Sequence, residues 1–297
     1  MTTRCKDGVV VWEGLTPFHP LTGELLPQGK RKTRAIVYLK WPDAGNKKIG
    51  YMAQTWIFLA DVLPSQGIKL KLDRGICGKC IRAGGNKCYV EVGKLDKMWE
   101  SLPFCRRMTP EAAGRILREL GAPLRIGAYG DPAAVPAGVW KDLTRYIGYS
   151  GYTHTPENLP ELRGKIMASA DSVEDARRLQ KEGWQTYRIR NWDTEGNLEP
   201  LLPGEIACPA DSHTEKGHLR MSQGLPLKSC ANCLLCGSKI KKSVAIPEHS
   251  GVTMSRLARL KSAGKLTPAS PYRKRITADD IIQGAMQGMT KRKLPVL

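Results

Sequence analysis

Seven of the nine cysteines fall into two close-spaced groups, and these are the residues whose types and spacing point most directly to chemistry. The first group is Cys77-x2-Cys80-x7-Cys88. A Cys-x2-Cys pair lets two thiolates converge on one ion from a tight turn, and Gly75, Gly78, Gly84 and Gly85 relax the backbone where such turns need positive φ. Arg74, Lys79, Arg82 and Lys87 favour ionised thiols and offset their charge. Three cysteines leave one position open on a four-iron cluster, or leave a zinc ion to find its fourth ligand elsewhere. The plainer alternative makes ligands of Cys77 and Cys80 only, with Cys88 in the core.

The second group is Cys208 with Cys230-x2-Cys233-x2-Cys236. Short repeated spacing lets one chain segment wrap a cubane cluster, and Cys208, followed by Pro209, is the natural fourth ligand. Zinc is the competitor: Cys236-Gly237 resembles the turn of a zinc ribbon, and His213 or His218 can replace one sulfur. Fully ligated, such a site holds structure or carries electrons. Cys5 and Cys105 stand apart and read as isolated thiols. The odd count, the tight spacing and an N-terminal apolar run too short for a signal peptide all argue against a disulfide framework. No run of about 18 apolar residues occurs, so the expectation is a cytoplasmic protein with no membrane partner.

The elements that must position these groups are legible around them. Val9–Trp12 and Ala35–Trp41 are β-like, and Met52–Leu59 reads as a strand running into the first cysteine loop. Lys94–Leu102 follows as a short helix. Thr109 caps a second helix, with Pro110 at its first position, Glu111 on the positive end of the dipole and Gly121 as its stop. Leu124–Tyr129 is a strand ending in Gly130-Asp131-Pro132. Trp140–Tyr146 is helical, and Gly148–His154 and Ile166–Ser169 are strands. A helix capped by Asp171 or Ser172 runs to about Glu182, and Thr186–Ile189 is the strand after it. Strand, capped helix and strand in this order form βαβ units with parallel pairing, which implies an α/β fold: a complete or partial (β/α) barrel. The expected division is an N-terminal β-rich segment over 1–60, a barrel-like core over 61–205, the second cysteine segment over 206–240 and a basic helical tail over 241–297. Met254–Ala263 and Thr277–Met289 are the tail's helices.

The 297 residues carry 47 Lys and Arg against 28 Asp and Glu, a formal net charge of +19. Such a surface attracts polyanions, so nucleic acid or a nucleotide is the expected partner, against the alternative of a merely basic protein. Residues 238–297 alone hold 13 basic and 3 acidic residues. Gly45-Asn46-Lys47-Lys48-x-Gly50 lacks the spacing of a P-loop and is read as a basic turn. No Ser-His-Asp order, His-Glu-x-x-His pair, Walker loop or Rossmann glycine fingerprint is present, which leaves hydrolase, NTPase and dehydrogenase readings without support.

The order of these features resembles the radical S-adenosylmethionine enzymes over about residues 70–240. There a three-cysteine loop follows the first strand of an α/β barrel, and a Gly/acid/Pro motif ends the second strand. Here Cys88 is followed by the aromatic Tyr89, and the next strand ends in Gly130-Asp131-Pro132. The loop departs from the usual Cys-x3-Cys-x2-Cys. The chain also looks similar to uncharacterised bacteriophage proteins sharing the CxxC…CYV, GAYGDP and MAS-x-x-S segments, which would place it in a host cytoplasm. The resemblance implies one or two [4Fe-4S] clusters and S-adenosylmethionine, with Gly130, Asp131, Ser169 and Asp171 near that cofactor. Asp131, His154 and Arg190 become catalytic candidates, because barrel strands deliver functional groups at their C-terminal ends. Arg188 and Arg190 share one strand face and bind a carboxylate or phosphate if that face is inward. His154 is either a general acid or base or a structural histidine, and Tyr149 and Tyr152 either stack on a base or pack the core. Two other functions remain open. One is a zinc-containing barrel transglycosylase acting on DNA or RNA, with Asp131 or Asp171 as nucleophile. The other is a non-enzymatic nucleic-acid-binding protein stabilised by Zn2+.

Overall fold

The computed structural model describes residues 5–43, 45, 48–84, 88, 90, 92–211, 223, 228–239, 242–248 and 251–265. Nine strands form one sheet: β1 (Gly8–Leu15), β2 (Arg34–Asp43), β3 (Met52–Leu59), β4 (Leu124–Tyr129), β5 (Tyr149–Thr153), β6 (Met167–Ala170), β7 (Thr186–Arg190), β8 (Glu205–Ala207) and β9 (Ser243–Pro247). Their spatial order is β1-β2-β3-β4-β5-β6-β7-β9-β8. β1, β2 and β3 pair antiparallel, and every pairing from β3 onward is parallel. The sheet is open, with β1 and β8 at its edges, so a complete barrel is not formed. The expected division at residue 60 falls inside this sheet, since β3 joins the antiparallel strands to the parallel ones.

The helices are α1 (Pro64–Lys69), α2 (Arg74–Cys77), α3 (Val92–Ser101), α4 (Pro110–Glu119), α5 (Ala137–Leu143), α6 (Val173–Lys181), α7 (Cys230–Cys233) and α8 (Gly251–Ser262). The two predicted caps form. Thr109 accepts from the Ala112 N–H and Ser172 from the Asp175 N–H, each satisfying a donor that the helix start leaves unpaired. α5 begins earlier than the predicted Trp140–Tyr146, because Pro136 presets the backbone at its start and Thr144 closes it.

Each parallel strand divides its side chains between two faces. Leu124, Ile126, Ala168 and Ala170 pack with Ala113, Leu117, Trp140, Leu143, Ala176 and Leu179 from α4, α5 and α6. Met167, Ile189, Val244 and Ile246 lie on the opposite face, clustered with Cys208, Tyr152, Tyr187 and Cys236. This second face carries the second cysteine group.

One element of the expected basic tail is a strand. β9 is buried along its whole length and inserts between β7 and β8. Its Ser-Val-Ala-Ile-Pro run suits a doubly covered strand, but dense flanking charge masks it in the sequence. α8 forms as predicted, and Thr277–Met289 lies outside the described residues.

Candidate metal centres and the strand face between them

The first cysteine loop begins directly after α1, and α2 carries Cys77 at its C-terminus. Gly78 then turns the chain at φ 55°, and a Cβ there would sit 2.7 Å from Thr155 Oγ1 and 2.9 Å from the Phe18 ring, so glycine alone fits. Asp73 lies buried below, its Oδ2 accepting the Gly84 N–H at 2.7 Å, which folds the loop back on itself. Burial pushes the Cys77 thiol well up, and the charges of Asp73, Cys80, Cys88 and Asp131 add to that. Cys88 is also raised, chiefly by burial. The three thiols, all free, therefore repel one another on ionisation, an arrangement that a bound cation relieves.

Asp131 joins β4 to this loop. Its own N–H donates to the Ile76 carbonyl at 2.7 Å, one residue before Cys77. Asp131 is 5% exposed, and its carboxylate accepts from Thr153 Oγ1 at 2.6 Å, the Ala133 N–H at 2.8 Å and the His154 N–H at 2.7 Å. A carboxylate has about four acceptor positions, so most of its capacity is occupied within the chain. The structure thus gives Asp131 a clamping role between β4, β5 and the loop, where the sequence suggested a ligand or catalyst. Gly130 serves the same turn. Its φ is 77° and a Cβ would meet Ile57 Cβ at 2.7 Å.

His154 faces the site from the end of β5. Its Nδ1 lies 3.9 Å from Asp131 Oδ2 and its Nε2 lies 3.5 Å from Asp171 Oδ2. Burial pulls its basicity down, but the neighbouring Cys80 and the charges of Asp131 and Asp171 outweigh it and push the pKa up to about 9. Asp171 completes the group: its Oδ1 is enclosed, 3.7 Å from Arg82 Nε, with no hydrogen-bond partner among the described residues. Ser169 sits two residues earlier, on the same face as Met167. The structure therefore brings Cys77, Cys80, Cys88, Asp131, His154 and Asp171 to one end of the parallel strands.

Arg190 is placed elsewhere. Its Nε donates to the Glu199 carbonyl, and Arg188, on the same face, is fully buried against Glu205 and Glu199. Both arginines are thus held by the segment leading into β8, so the catalytic expectation for Arg190 finds no support in the geometry.

The second group lies on the sheet face opposite the helices, against Tyr152, Tyr187 and Met167. Cys208 follows β8, its N–H donating to the Ala245 carbonyl on β9. Cys230 and Cys233 bound α7, which docks through the Cys230 and Ala231 N–H groups onto the Lys48 and Ile49 carbonyls ahead of β3. Cys236 accepts the Gly151 N–H of β5 through its carbonyl at 3.1 Å. None of the four cysteines is in a disulfide. Burial pushes Cys208 up to about 12 and Cys236 well above the ordinary thiol range, and mutual repulsion raises Cys236 further. Beside them the Tyr152 and Tyr187 rings stack at 4.3 Å, so core packing accounts for Tyr152. His213, His218 and Tyr89 lie outside the described residues. Among the described residues, no three His, Cys, Asp or Glu side chains stand at metal-ligand spacing from one another: the thiols are gathered but not drawn to coordination distance.

One pairing was missed in the sequence. Cys5 and Cys105, read as isolated thiols, form a disulfide across 100 residues that ties the start of the chain to the turn after α3. Nothing in their spacing announces it, because β1 and that turn meet only in the fold, through the Val10–Arg106 and Met108–Val10 backbone bonds.

No protein-family model, curated protein or solved structure matches the chain. Among the described residues, no helix is long and apolar enough to cross a membrane.

Proposed function

We propose that this protein is a radical S-adenosylmethionine enzyme that modifies a nucleic acid or nucleotide by hydrogen abstraction, built on a partial (β/α) barrel formed by the parallel strands. The observation that carries the reading is the bond between the Asp131 N–H and the Ile76 carbonyl. It fastens the Gly130-Asp131-Pro132 end of β4 to the three-cysteine loop that follows β3, the neighbouring parallel strand. The donor set suits an open iron–sulfur site: three partly buried thiols outside any disulfide and a cationic side chain, Arg82, near Cys88. Cys77, Cys80 and Cys88 would hold a [4Fe-4S] cluster. With S-adenosylmethionine bound, that site would supply a one-electron reduction of the sulfonium, leading to hydrogen abstraction from the substrate.

The chain's own residues have distinct parts in this. Asp131 and Thr153 keep the strand ends packed under the loop. Asp171, whose Oδ1 faces Arg82 at 3.7 Å without a hydrogen bond, would share that carboxylate oxygen with a cationic group such as an ammonium. Ser169 is at hand on the same face for a hydroxyl or carboxylate. The net charge of +19 suits an anionic substrate. The second group would hold a further cluster or Zn2+, and a phage protein working in the host cytoplasm is compatible with both.

A second reading rests on the nearness of His154 to Cys80, whose charge acts on the imidazole. Cys77, Cys80, Cys88 and His154 together are a donor set for structural zinc, which would make the protein a zinc-stabilised nucleic-acid binder. Anaerobic reconstitution followed by iron, sulfide and zinc analysis and equilibrium binding of S-adenosylmethionine separates the two. Iron and sulfide at the first group, with S-adenosylmethionine binding lost in Cys80→Ala, support the enzyme. Zinc alone, with no binding of S-adenosylmethionine, removes it.

A further inference from the structure

Arg125 lies on β4 between Leu124 and Ile126, which pack beneath the helices, so its side chain belongs to the opposite face. There it registers with Ser150 of β5, and Ser150 in turn bridges Gly237, the residue after Cys236. Its charge acts on Cys230, Cys236 and Tyr152. Its Nε is enclosed with no hydrogen-bond partner, and it has no carboxylate partner among the described residues. Lys48, another cation near this group, is paired with the buried Asp211 at 2.6 Å. Arg125 is partly buried, and a guanidinium with an enclosed, unbonded nitrogen is stabilised by an anion placed beside it. Of the second cysteine group, the thiols of Cys230 and Cys236 lie in the field of Arg125, and Cys208 and Cys233 belong to the same set of four.

We infer that Arg125 is the counter-charge of a thiolate-bound metal centre at Cys208, Cys230, Cys233 and Cys236, and that it sets how readily that centre takes up an electron. Four thiolates around a divalent ion, or around an oxidised [4Fe-4S] core, carry two net negative charges, and reduction of the cluster adds a third. A guanidinium fixed beside the sulfurs stabilises the more negative state and so raises the midpoint potential. The inference rests on the second group binding metal. It does not depend on the chemistry proposed at the first.

The test uses the full-length chain with Cys77, Cys80 and Cys88 all changed to Ala, so that the second group alone is available. One sample is loaded anaerobically with ferrous iron and sulfide, another with Zn2+. Arg125→Met removes the charge at similar length, and Arg125→Lys keeps it. For the iron sample, a mediator titration followed by electron paramagnetic resonance should show the R125M midpoint moved negative by about a tenfold change in the reduction equilibrium, 59 mV for one electron. R125K should stay near the parent. For the zinc sample, R125M should retain the ion about tenfold less tightly against a chelator. Should R125M fail to fold, R125Q carries the same comparison. An unchanged potential and unchanged zinc retention, an equal shift in R125K, or a chain that binds neither metal would overturn the inference. Failure of the proposed function reads differently: the triple-Ala chain would still bind metal, while the parent chain would not bind S-adenosylmethionine.

Discussion

Tyr152 and His154 stand two residues apart on β5 and its extension, and each meets a different cysteine group. Tyr152 lies in the field of Cys236, Cys230 and Cys208, whereas His154 lies in that of Cys80. Two residues of strand span about 7 Å. The two candidate centres are therefore ends of one short ladder of side chains, not separate appendages. Residues just outside a metal's ligand shell typically change affinity by about 10- to 100-fold. His154→Ala should accordingly lower metal retention at Cys77, Cys80 and Cys88 by at least about tenfold, and Tyr152→Ala should do so at the second group. Metal analysis of each substitution in chains lacking one cysteine group would detect this, and loss at the wrong group would refute it.

Arg188 is the most completely buried cation described. It is 0% exposed, with Nε and one terminal nitrogen on Glu205 at 2.8 and 2.7 Å and further bonds to Glu199 and the Pro200 carbonyl. Removing one partner of such a pair strands the other charge, at about 3–5 kcal/mol. Arg188→Met should lower stability by that amount in a denaturant titration. Changing Glu205→Leu in the same chain should recover most of it, since two apolar residues leave no orphan charge. If the double variant were as unstable as the single one, packing and not charge would be responsible.

Tyr38 supplies a pH dependence far from either cysteine group. Burial, helped by the charge of Asp7, raises its phenol from 10 to about 12. The folded state then keeps a proton that the unfolded state has lost, so stability is complete below pH 10 and falls as pH rises toward 12. The loss should approach about 2–3 kcal/mol, at 1.36 kcal/mol per pKa unit. Tyr38→Phe should remove this part of the alkaline slope while leaving the slope below pH 9 unchanged. Parallel slopes for the two proteins would contradict the assignment.

The Cys5–Cys105 bond closes a loop spanning 100 residues, and cross-links of that length contribute up to about 4–5 kcal/mol when the native geometry accepts them. Mass spectrometry after alkylation under non-reducing, metal-free denaturing conditions should find these two cysteines linked and the other seven labelled. Reduction should then lower stability by about 2–4 kcal/mol. Cys5→Ser should lose the effect of reductant altogether.

Much of the chain's local order can be read from single residues. Thr109 and Ser172 announce their helices because a side-chain oxygen next to an unpaired N–H is a local event. The strands β3 to β7 follow from runs of β-branched and apolar residues, and the parallel pairing follows from the helices between them. The cysteine spacing marked both groups, since ligands on one short turn are close in sequence as well as in space.

What the sequence could not supply were relationships among distant residues. Arg188 and Arg190 share a face in any register, but only the sheet decides that the face turns toward Glu205 and Glu199. Asp131 is an acidic residue at a strand end in the sequence, and only packing reveals that three donors already hold its carboxylate. β9 looked like part of a basic tail until β7 and β8 accepted it between them. The seven grouped cysteines are thus a property of the chain, fixed by spacing. Their two locations, one at the strand ends around His154 and one on the sheet face against Tyr152 with Arg125 beside it, belong to the tertiary structure, because β-pairing and burial act on residues that the sequence keeps far apart.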